Sequence, residues 1–175
     1  TLVIDADGIN ILAKNKNLLK LLPLQTVLTP HPKELERLIG KWKDDFDKLN
    51  KAKAFSKKHH AIIVIKGANT ITVFQDKLYV NTTGNPGLAT AGSGDVLTGI
   101  ITGLISQGYS SLAATIFGVY LHGKSADIAV EASGYQSLIA SHVIDYLGQA
   151  YKDLFEQPEP LIEEDEADVQ ENDQD

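Results

Sequence analysis

A glycine-rich segment that directly precedes a predicted helix contains the residues best suited to chemistry. Gly84, Gly87, Gly92 and Gly94 lie within eleven residues, and the last two come just before an apolar helical face. Free backbone N–H groups and the helix dipole make such a helix start a site for phosphate. Asp95 stands in the first helical turn, from where its carboxylate can accept a proton from a hydroxyl that attacks the phosphate. The segment therefore predicts phosphoryl transfer at this helix start.

The same helix start also has a purely structural interpretation. Ser93 would cap the helix, and Asp95 would complement the positive end of the helix dipole without any ligand. The Gly-x-Gly-Asp pattern by itself favours neither interpretation. The long pattern that flanks it favours the functional one.

Three further blocks accompany the glycine-rich segment in a fixed order. They are Asp5-Ala-Asp-Gly-Ile-Asn10, Leu28-Thr-Pro-His-Pro-Lys-Glu34 and Lys66-Gly-Ala-Asn-Thr70, followed by the segment from Gly84 to Gly99. The set closely resembles the ADP/ATP-dependent NAD(P)H-hydrate dehydratase family, a branch of the ribokinase-like superfamily, over about residues 1–150. Gly-x-Gly-Asp is common to the whole superfamily, whereas the other three blocks narrow the resemblance to this branch.

The resemblance implies a repair reaction on a nicotinamide cofactor hydrated on its ring, NADHX or NADPHX. Its hydroxyl is phosphorylated at the expense of ADP or ATP, and phosphate then leaves to restore NADH or NADPH. Asp95 is implied as the base, and the backbone of Ala91, Gly92, Ser93 and Gly94 as the stabiliser of the transferring phosphoryl group. Mg²⁺ is expected with the nucleotide, held mostly by phosphates and waters, and no protein ligand is assigned to it.

The resemblance also gives a role to the loop after the predicted strand at 61–65. This nucleotide loop consists of Lys66, Gly67, Ala68, Asn69 and Thr70. The loop would contact the nucleotide, and Lys66 would neutralise phosphate charge, because open α/β sheets bind ligands where their strands end. The structural alternative is a β-turn that joins two strands.

A substrate role is implied for the second block and, in part, for the first. The second block consists of His31, Pro32, Lys33 and Glu34, which would line the hydrated-nicotinamide site with His31 and Glu34 as the main candidates. Ordinary helix-start chemistry is the alternative, with Pro32 in the first turn and Glu34 near the positive end of the helix. Asp5 and Asn10 would lie near the substrate and the phosphate, and turn or capping chemistry is the alternative for them.

Two other functions are compatible with Gly-x-Gly-Asp. A kinase of the same superfamily, of the hydroxymethylpyrimidine or hydroxyethylthiazole type, would share that motif but should lack the Thr29–Glu34 block. A catalytically silent nucleotide-binding fragment is the second alternative, because the chain opens with Thr1–Asp5 inside a strand pattern. We therefore expect a piece of a longer protein, with an N-terminal segment or an epimerase domain outside it. The resemblance further implies a homo-oligomer.

One further motif is interpreted as a coincidence of letters. The segment from Gly118 to Ser125 matches the Walker A spelling and ends in Gly123-Lys124-Ser125. A working P-loop follows a strand and is itself a loop, whereas the residues on both sides of this segment continue a helical pattern. We therefore predict a helix here and no role for Lys124 in nucleotide binding.

Strands that alternate with helices must position these blocks. Strands are predicted at 2–4, 26–28 and 61–65, a β-hairpin near 71–80, and helices at 9–22, 32–40, 46–59, 95–107, 111–132 and 137–155. This alternation predicts an α/β fold with a mostly parallel central sheet flanked by helices, which ends near residue 155. Residues 156–175 are predicted to be a disordered tail, because ten acidic residues there are accompanied by no Lys or Arg.

The composition excludes several classes of protein. The 175 residues include no cysteine, so disulfides, zinc–thiolate sites and cysteine nucleophiles are excluded, which fits a reducing compartment. No apolar run is long enough to span a membrane and no signal-peptide pattern opens the chain, so we expect a cytoplasmic protein. Outside the tail, 16 basic and 13 acidic residues give a charge near +3 without a basic stripe, which argues against nucleic-acid binding.

Overall fold

A computed structural model describes residues 1–156, and the rest of the predicted acidic tail lies outside the described residues. The strands are β1 (Val3–Ile4), β2 (Val27–Leu28), β3 (Ile62–Ile65), β4 (Ile71–Phe74) and β5 (Lys77–Val80). The α-helices are α1 (Ala6–Lys14), α2 (Pro32–Ile39), α3 (Asp45–His59), α4 (Ser93–Ser106), α5 (Ser111–Ser133), α6 (Ala140–Asp145) and α7 (Leu147–Phe155). Short 3₁₀ helices cover Lys16–Leu21, Pro86–Leu88 and Tyr135–Ser137. None of the helices in this described part is both long and apolar enough to cross a membrane.

The five strands form one sheet in chain order. β1 pairs with β2 and β2 with β3 in parallel, and β3, β4 and β5 pair in antiparallel fashion. The predicted hairpin is confirmed, with Gln75 and Asp76 between its strands. The prediction of a mostly parallel sheet needs a correction, because the strands of the described residues form two parallel and two antiparallel pairings. The hairpin pairs directly with β3, so each of its two strands adds an antiparallel pairing.

The residues of β3 point alternately into two hydrophobic cores. Ile63 and Ile65 pack with α1, α2 and α3 on one face of the sheet, and Ile62 and Val64 pack with α4 and α5 on the other. A continuous apolar strand is what burial on both faces requires. Helices therefore cover both faces of the sheet, and the predicted α/β layering is confirmed.

The parallel part of the sheet places three sequence blocks at one edge. Asp5 directly follows β1, Lys66 directly follows β3, and His31 comes three residues after β2. Because β1, β2 and β3 run in the same direction, the chain leaves all three strands at the same end of the sheet. This is the end at which open α/β sheets bind ligands.

Two of the predicted helices are interrupted. The helix predicted at 9–22 becomes α1 and a 3₁₀ helix, which are separated at Asn15, where a φ of −120° and a ψ of 68° take the backbone out of the helical region. The helix predicted at 137–155 becomes α6 and α7, which meet at Tyr146. α6 packs against α4 and α5, and α7 packs mainly against α5, so the break lets the two segments follow different partners.

Candidate active site

A cavity of about 560 Å³ lies at the edge of the sheet where β2 and β3 end. Its walls include the loop after β2, the loop after β3 and the segment before α4. The predicted site residues that line it are His31, Pro32, Lys66, Gly67, Ala68, Thr70, Ser93 and Gly94. The tertiary structure thus brings parts of the predicted nucleotide loop, the substrate block and the phosphate site to one cavity.

Helix α4 begins in a conformation that glycine adopts far more easily than other residues. Gly92 is the N-cap residue with a φ of 83°, and no side chain caps the helix. The interpretation of Ser93 as the helix cap is therefore wrong. The first N–H groups of the helix have no partner within it, and together with the dipole they favour an anion at this end. Gly94 lines the cavity, and Asp95 follows it as an exposed side chain in the first turn.

The buried residue Ser93 is in contact with His122, a residue of α5 that also lines the cavity. His122 Nε2 lies 2.9 Å from the carbonyl oxygen of Ser93 and 3.2 Å from its hydroxyl oxygen. Since a carbonyl oxygen only accepts, Nε2 carries the hydrogen, and the contact is satisfied by the neutral ring. Burial, with a smaller effect of the nearby Lys66 charge, lowers the pKa of His122 to about 4. The sequence analysis gave this residue no role, because it lies inside the Gly118–Ser125 segment that was interpreted as a coincidence of letters.

Lys66 and Asp5 form an ion pair beside the first turn of α4. Lys66 Nζ lies 2.9 Å from Asp5 Oδ1, and the Thr98 hydroxyl donates to Asp5 Oδ2 over 3.3 Å. A Cβ atom added to Gly94 would stand 3.3 Å from Lys66 Nζ, so the cation borders the helix start. Burial alone would raise the pKa of the Asp5 carboxyl, but the hydrogen bond and the charge of Lys66 outweigh it and lower that pKa. The positive charge of Lys66 is thus oriented by a partner next to α4.

Replacing Lys66 with methionine is expected to lower the free energy of unfolding by about 2 kcal/mol, because the partly buried Asp5 carboxylate loses its charged partner. In the Asp5→Asn background the loss should shrink below about 1 kcal/mol, since no carboxylate is then left unpaired. Urea unfolding of the four proteins of this double-mutant cycle at neutral pH measures both values. Equal losses in the two backgrounds would contradict a stabilising ion pair.

The substrate block forms the start of α2, as its structural interpretation predicts. His31 Nδ1 accepts from the N–H groups of Lys33 and Glu34, and the Glu34 carboxylate accepts from the His31 N–H over 2.9 Å. Glu34 is buried, and its Oε1 lies 3.2 Å from His31 Nε2. His31 and Pro32 line the cavity, whereas Lys33 is exposed and Glu34 is engaged with His31. A substrate contact for this block stays a prediction.

Other predicted site residues do not line the cavity. Asn69, Ala91 and Gly92 are exposed neighbours of residues that line it. Asn10 lies inside α1, where its side-chain oxygen accepts from Arg37 Nη1 over 2.8 Å and so joins α1 to α2. A place for Asn10 near the substrate stays a prediction.

One wall of the cavity was not assigned from the sequence. It is the segment between β5 and α4, of which Asn81, Thr83, Gly84, Asn85, Pro86, Leu88, Ala89 and Thr90 line the cavity. Asp127 of α5 accepts from the Gly84 N–H and from the Asn85 side-chain amide, each over 2.8 Å. The glycines of this segment gave a sequence signal, but nothing in the sequence pointed to Asp127.

The segment with the Walker A spelling lies inside α5, which confirms the predicted helix. Lys124 points to Asp153 of α7, with 3.6 Å between Nζ and Oδ2. The two glycines serve helix packing: a Cβ on Gly118 would stand 2.9 Å from Ile101, and a Cβ on Gly123 would stand 2.4 Å from the Thr83 hydroxyl. The letters therefore reflect close contacts of a helix and not a phosphate-binding loop.

Within residues 1–156 no group of three or more His, Asp or Glu side chains could hold a metal ion by itself. Asp5 is engaged with Lys66, and Asp95 is a single exposed carboxylate at the helix start. This arrangement fits a magnesium ion held largely by phosphates and waters, for which one or two protein carboxylates suffice.

The sequence of this chain is similar to those of known proteins over most of its length. A family model described as NAD(P)H-hydrate dehydratase matches residues 1–149. A bifunctional NAD(P)H-hydrate repair enzyme from Moorella thermoacetica is 41% identical over 163 residues, which are 91% of this chain and 31% of that protein. An ADP-dependent (S)-NAD(P)H-hydrate dehydratase from Neisseria meningitidis is 41% identical over 138 residues, which are 75% of this chain and 46% of that protein. The chain thus spans from about a third to about half the length of these relatives.

Solved structures share the fold. An ADP/ATP-dependent NAD(P)H-hydrate dehydratase from Bacillus subtilis, co-crystallised with ATP and Mg²⁺, is 30% identical with a TM-score of 0.73 and covers 86% of this chain and 54% of its own. A hydroxyethylthiazole kinase from Pyrococcus horikoshii is 15% identical with a TM-score of 0.67, a likeness of fold alone. The ribokinase-like fold predicted from the sequence is confirmed, and the match over residues 1–149 shows that this chain belongs to the NAD(P)H-hydrate dehydratase family.

Proposed function

We propose that this chain takes part in the ADP- or ATP-dependent dehydration of NADHX or NADPHX, which restores NADH or NADPH. The observation that carries the proposal is the meeting of Lys66, Asp5 and the first turn of α4 beside a cavity lined by the predicted nucleotide loop. A cation and an uncapped helix start both attract phosphate groups. Membership of the NAD(P)H-hydrate dehydratase family supports a hydrated nicotinamide ring as the acceptor.

The nucleotide phosphates are proposed to approach the start of α4 at Gly94. The backbone N–H groups there would stabilise the charge on the transferring phosphoryl group, and Lys66 would neutralise part of it. The adenosine part would lie along the loop from Lys66 to Thr70, four residues of which line the cavity. A cavity of about 560 Å³ is within the usual size of small-molecule sites.

In the first chemical step the hydroxyl oxygen on the substrate ring attacks the terminal phosphorus atom. A new P–O bond forms, the P–O bond to the leaving nucleotide breaks, and the hydroxyl proton passes to the Asp95 carboxylate. Phosphate then leaves with the electrons of the ring C–O bond, and a neighbouring ring carbon loses a proton to restore the double bond. Phosphorylation matters because hydroxide is a poor leaving group and phosphate a good one.

Mg²⁺ is part of the proposal because it neutralises nucleotide phosphates in such transfers. Phosphate oxygens and waters would hold most of the ion, and no protein ligand is assigned to it. The substrate ring is proposed to lie toward His31 and Pro32.

We also propose that the chain forms a homo-oligomer, and sedimentation velocity measures its oligomeric state.

Incubation of NADHX with ADP or ATP and Mg²⁺ tests the proposal through recovery of the near-ultraviolet absorbance of NADH. We expect recovery that depends on nucleotide, and the same assay with NADPHX measures substrate preference. Omission of nucleotide is the control for spontaneous dehydration. Phosphorylation of small alcohols without any NADH recovery would favour a kinase of the same superfamily, and nucleotide binding without either reaction would favour a silent binding protein.

A further inference from the structure

Helix α5 contacts both walls of the cavity with polar groups from one short stretch. His122 contacts Ser93 at the start of α4, and Asp127 accepts from Gly84 and Asn85 in the segment between β5 and α4. His122 itself lines the cavity and is buried. A helix that only filled a core would present apolar side chains, since buried polar groups cost free energy unless their partners are in place.

The contact of His122 fixes the backbone that leads into the phosphate site. Its Nε2–H donates to the Ser93 carbonyl over 2.9 Å, one residue before Gly94. Gly92 has a φ of 83°, so the chain turns sharply at this point and other backbone orientations compete with the observed one. The donor from α5 selects the orientation in which the Gly94 and Asp95 N–H groups begin the helix.

The segment between β5 and α4 is held to α5 by hydrogen bonds and by one close approach of the two backbones. Besides the two hydrogen bonds of Asp127, the Thr83 hydroxyl donates to the Tyr120 carbonyl over 2.9 Å. Gly123 permits the close approach: a Cβ there would stand 2.7 Å from the Thr83 carbonyl carbon and 2.8 Å from the Gly84 nitrogen. Backbone atoms cannot yield to such an overlap, so the loop approaches α5 this closely only because residue 123 is glycine.

We propose that His122 and Asp127 are positioning residues for nucleotide binding, which hold the two walls of the cavity in place before the nucleotide arrives. The proposal rests on the proposed function in that the cavity receives ADP or ATP. Neither side chain needs to react. Their effect is to reduce the ordering that the nucleotide must otherwise impose on the glycine-rich segment and on the helix start that follows it.

Hydrogen exchange without nucleotide tests whether the walls are held, in the full chain and in His122→Leu and Asp127→Ala variants. We expect faster exchange at residues 81–87 in Asp127→Ala and at Val96, whose N–H donates to the Gly92 carbonyl, in His122→Leu. The matched control is Lys124→Ala, because Lys124 lies on the same helix and points to Asp153. Unchanged exchange in both test variants, or the same increase in the control, would overturn the proposal.

Nucleotide affinity tests whether the positioning serves binding. By calorimetry, His122→Leu should weaken ADP about tenfold and AMP by less than about threefold, because Ser93 lies at the proposed phosphate end. His122→Gln should keep wild-type affinity, since its amide can donate from about the position of Nε2. Lys124→Ala should also keep wild-type affinity for ADP, and a tenfold loss of ADP affinity in this variant would support the P-loop interpretation. Equal losses of affinity for ADP and for AMP would mean that His122 contributes only to packing, and would overturn its positioning role.

Hydrogen exchange and nucleotide affinity together distinguish a failure of this inference from a failure of the proposed function. If the unmodified chain binds neither ADP nor ATP while the exchange effects occur, the proposed function fails and the contacts of α5 keep only a structural role. If His122→Leu does not fold, His122→Asn replaces it, because its amide is a methylene shorter than that of Gln and stands nearer the Nδ1 position. His122→Asn should then lose ADP affinity and His122→Gln should retain it, and equal affinities would overturn the proposal.

Discussion

Replacing Asp95 with asparagine is expected to lower the rate of NADHX dehydration by about 10³-fold, because the amide cannot accept the proton of the attacking hydroxyl. Nucleotide affinity should stay the same or rise, since one negative charge is removed from the site at which phosphates are proposed to bind. Single-turnover kinetics with ADP, together with calorimetric binding of ADP, measures the two effects separately. Loss of kcat without loss of binding is what a group that acts only in the transition state predicts.

Asp95 also contributes to the electrostatics of a helix start, so the experiment needs a control for that contribution. Asp45 occupies the first turn of α3, is 84% exposed in an ion pair with Lys48, and belongs to a helix that contributes no residue to the cavity lining. Asp45→Asn should change the unfolding free energy as much as Asp95→Asn does, by less than about 1 kcal/mol, and leave turnover unchanged. If Asp95→Asn retained turnover within about tenfold of the unmodified chain, the base would have to be another group.

Between pH 7 and pH 4 the unfolding free energy is expected to fall by about 3 kcal/mol through His122 alone. The pKa of its side chain is lowered from 6.5 to about 4, because the ring is buried. In this window the unfolded chain takes up a proton at His122 and the folded chain does not, so stability decreases as pH decreases. Above about pH 6.5 both states are neutral at this residue and the effect vanishes.

Chemical unfolding of the unmodified chain and of His122→Gln across this pH range measures the effect as a difference. The pKa of His59 is lowered too, by burial first and by Lys58 second, but His59 is present in both proteins and its contribution cancels. The Asp5 carboxyl, whose pKa is lowered by Lys66, contributes stability that is lost only as pH falls below its ordinary value of 3.8. Parallel pH curves for the two proteins would mean that His122 is not neutral and buried in the folded state.

Local signals in the sequence predicted most of the elements that frame the site. The apolar run of β3 predicted a strand buried on both faces, and both of its faces are covered by helices. Pro32 after an extended residue predicted the start of α2, and it is the first residue of that helix. These signals succeed because the burial of a strand and the start of a helix are both indicated by residues that are close neighbours in the sequence.

The helix boundaries that were predicted wrongly depend on information that the spacing of apolar residues does not contain. The break between α6 and α7 follows their different packing partners, which no local pattern contains. α1 ends at Asn15, where the backbone leaves the helical region, and the apolar spacing of residues 9–22 did not indicate this end. The structural alternative that made Ser93 the helix cap is wrong, because Gly92 is the N-cap residue and the Ser93 hydroxyl contacts His122 of α5.

The sequence by itself determined the α/β class, the family, and the order of the blocks around Asp95, since motif spacing and periodicity are properties of the chain alone. The tertiary structure decided which groups surround the helix start. Lys66 and Asp5 are 61 positions apart, and His122 is 29 positions from Ser93. Such pairs form only when the strands align at one edge and α5 packs on α4, so their partners depend on packing geometry that no local pattern encodes.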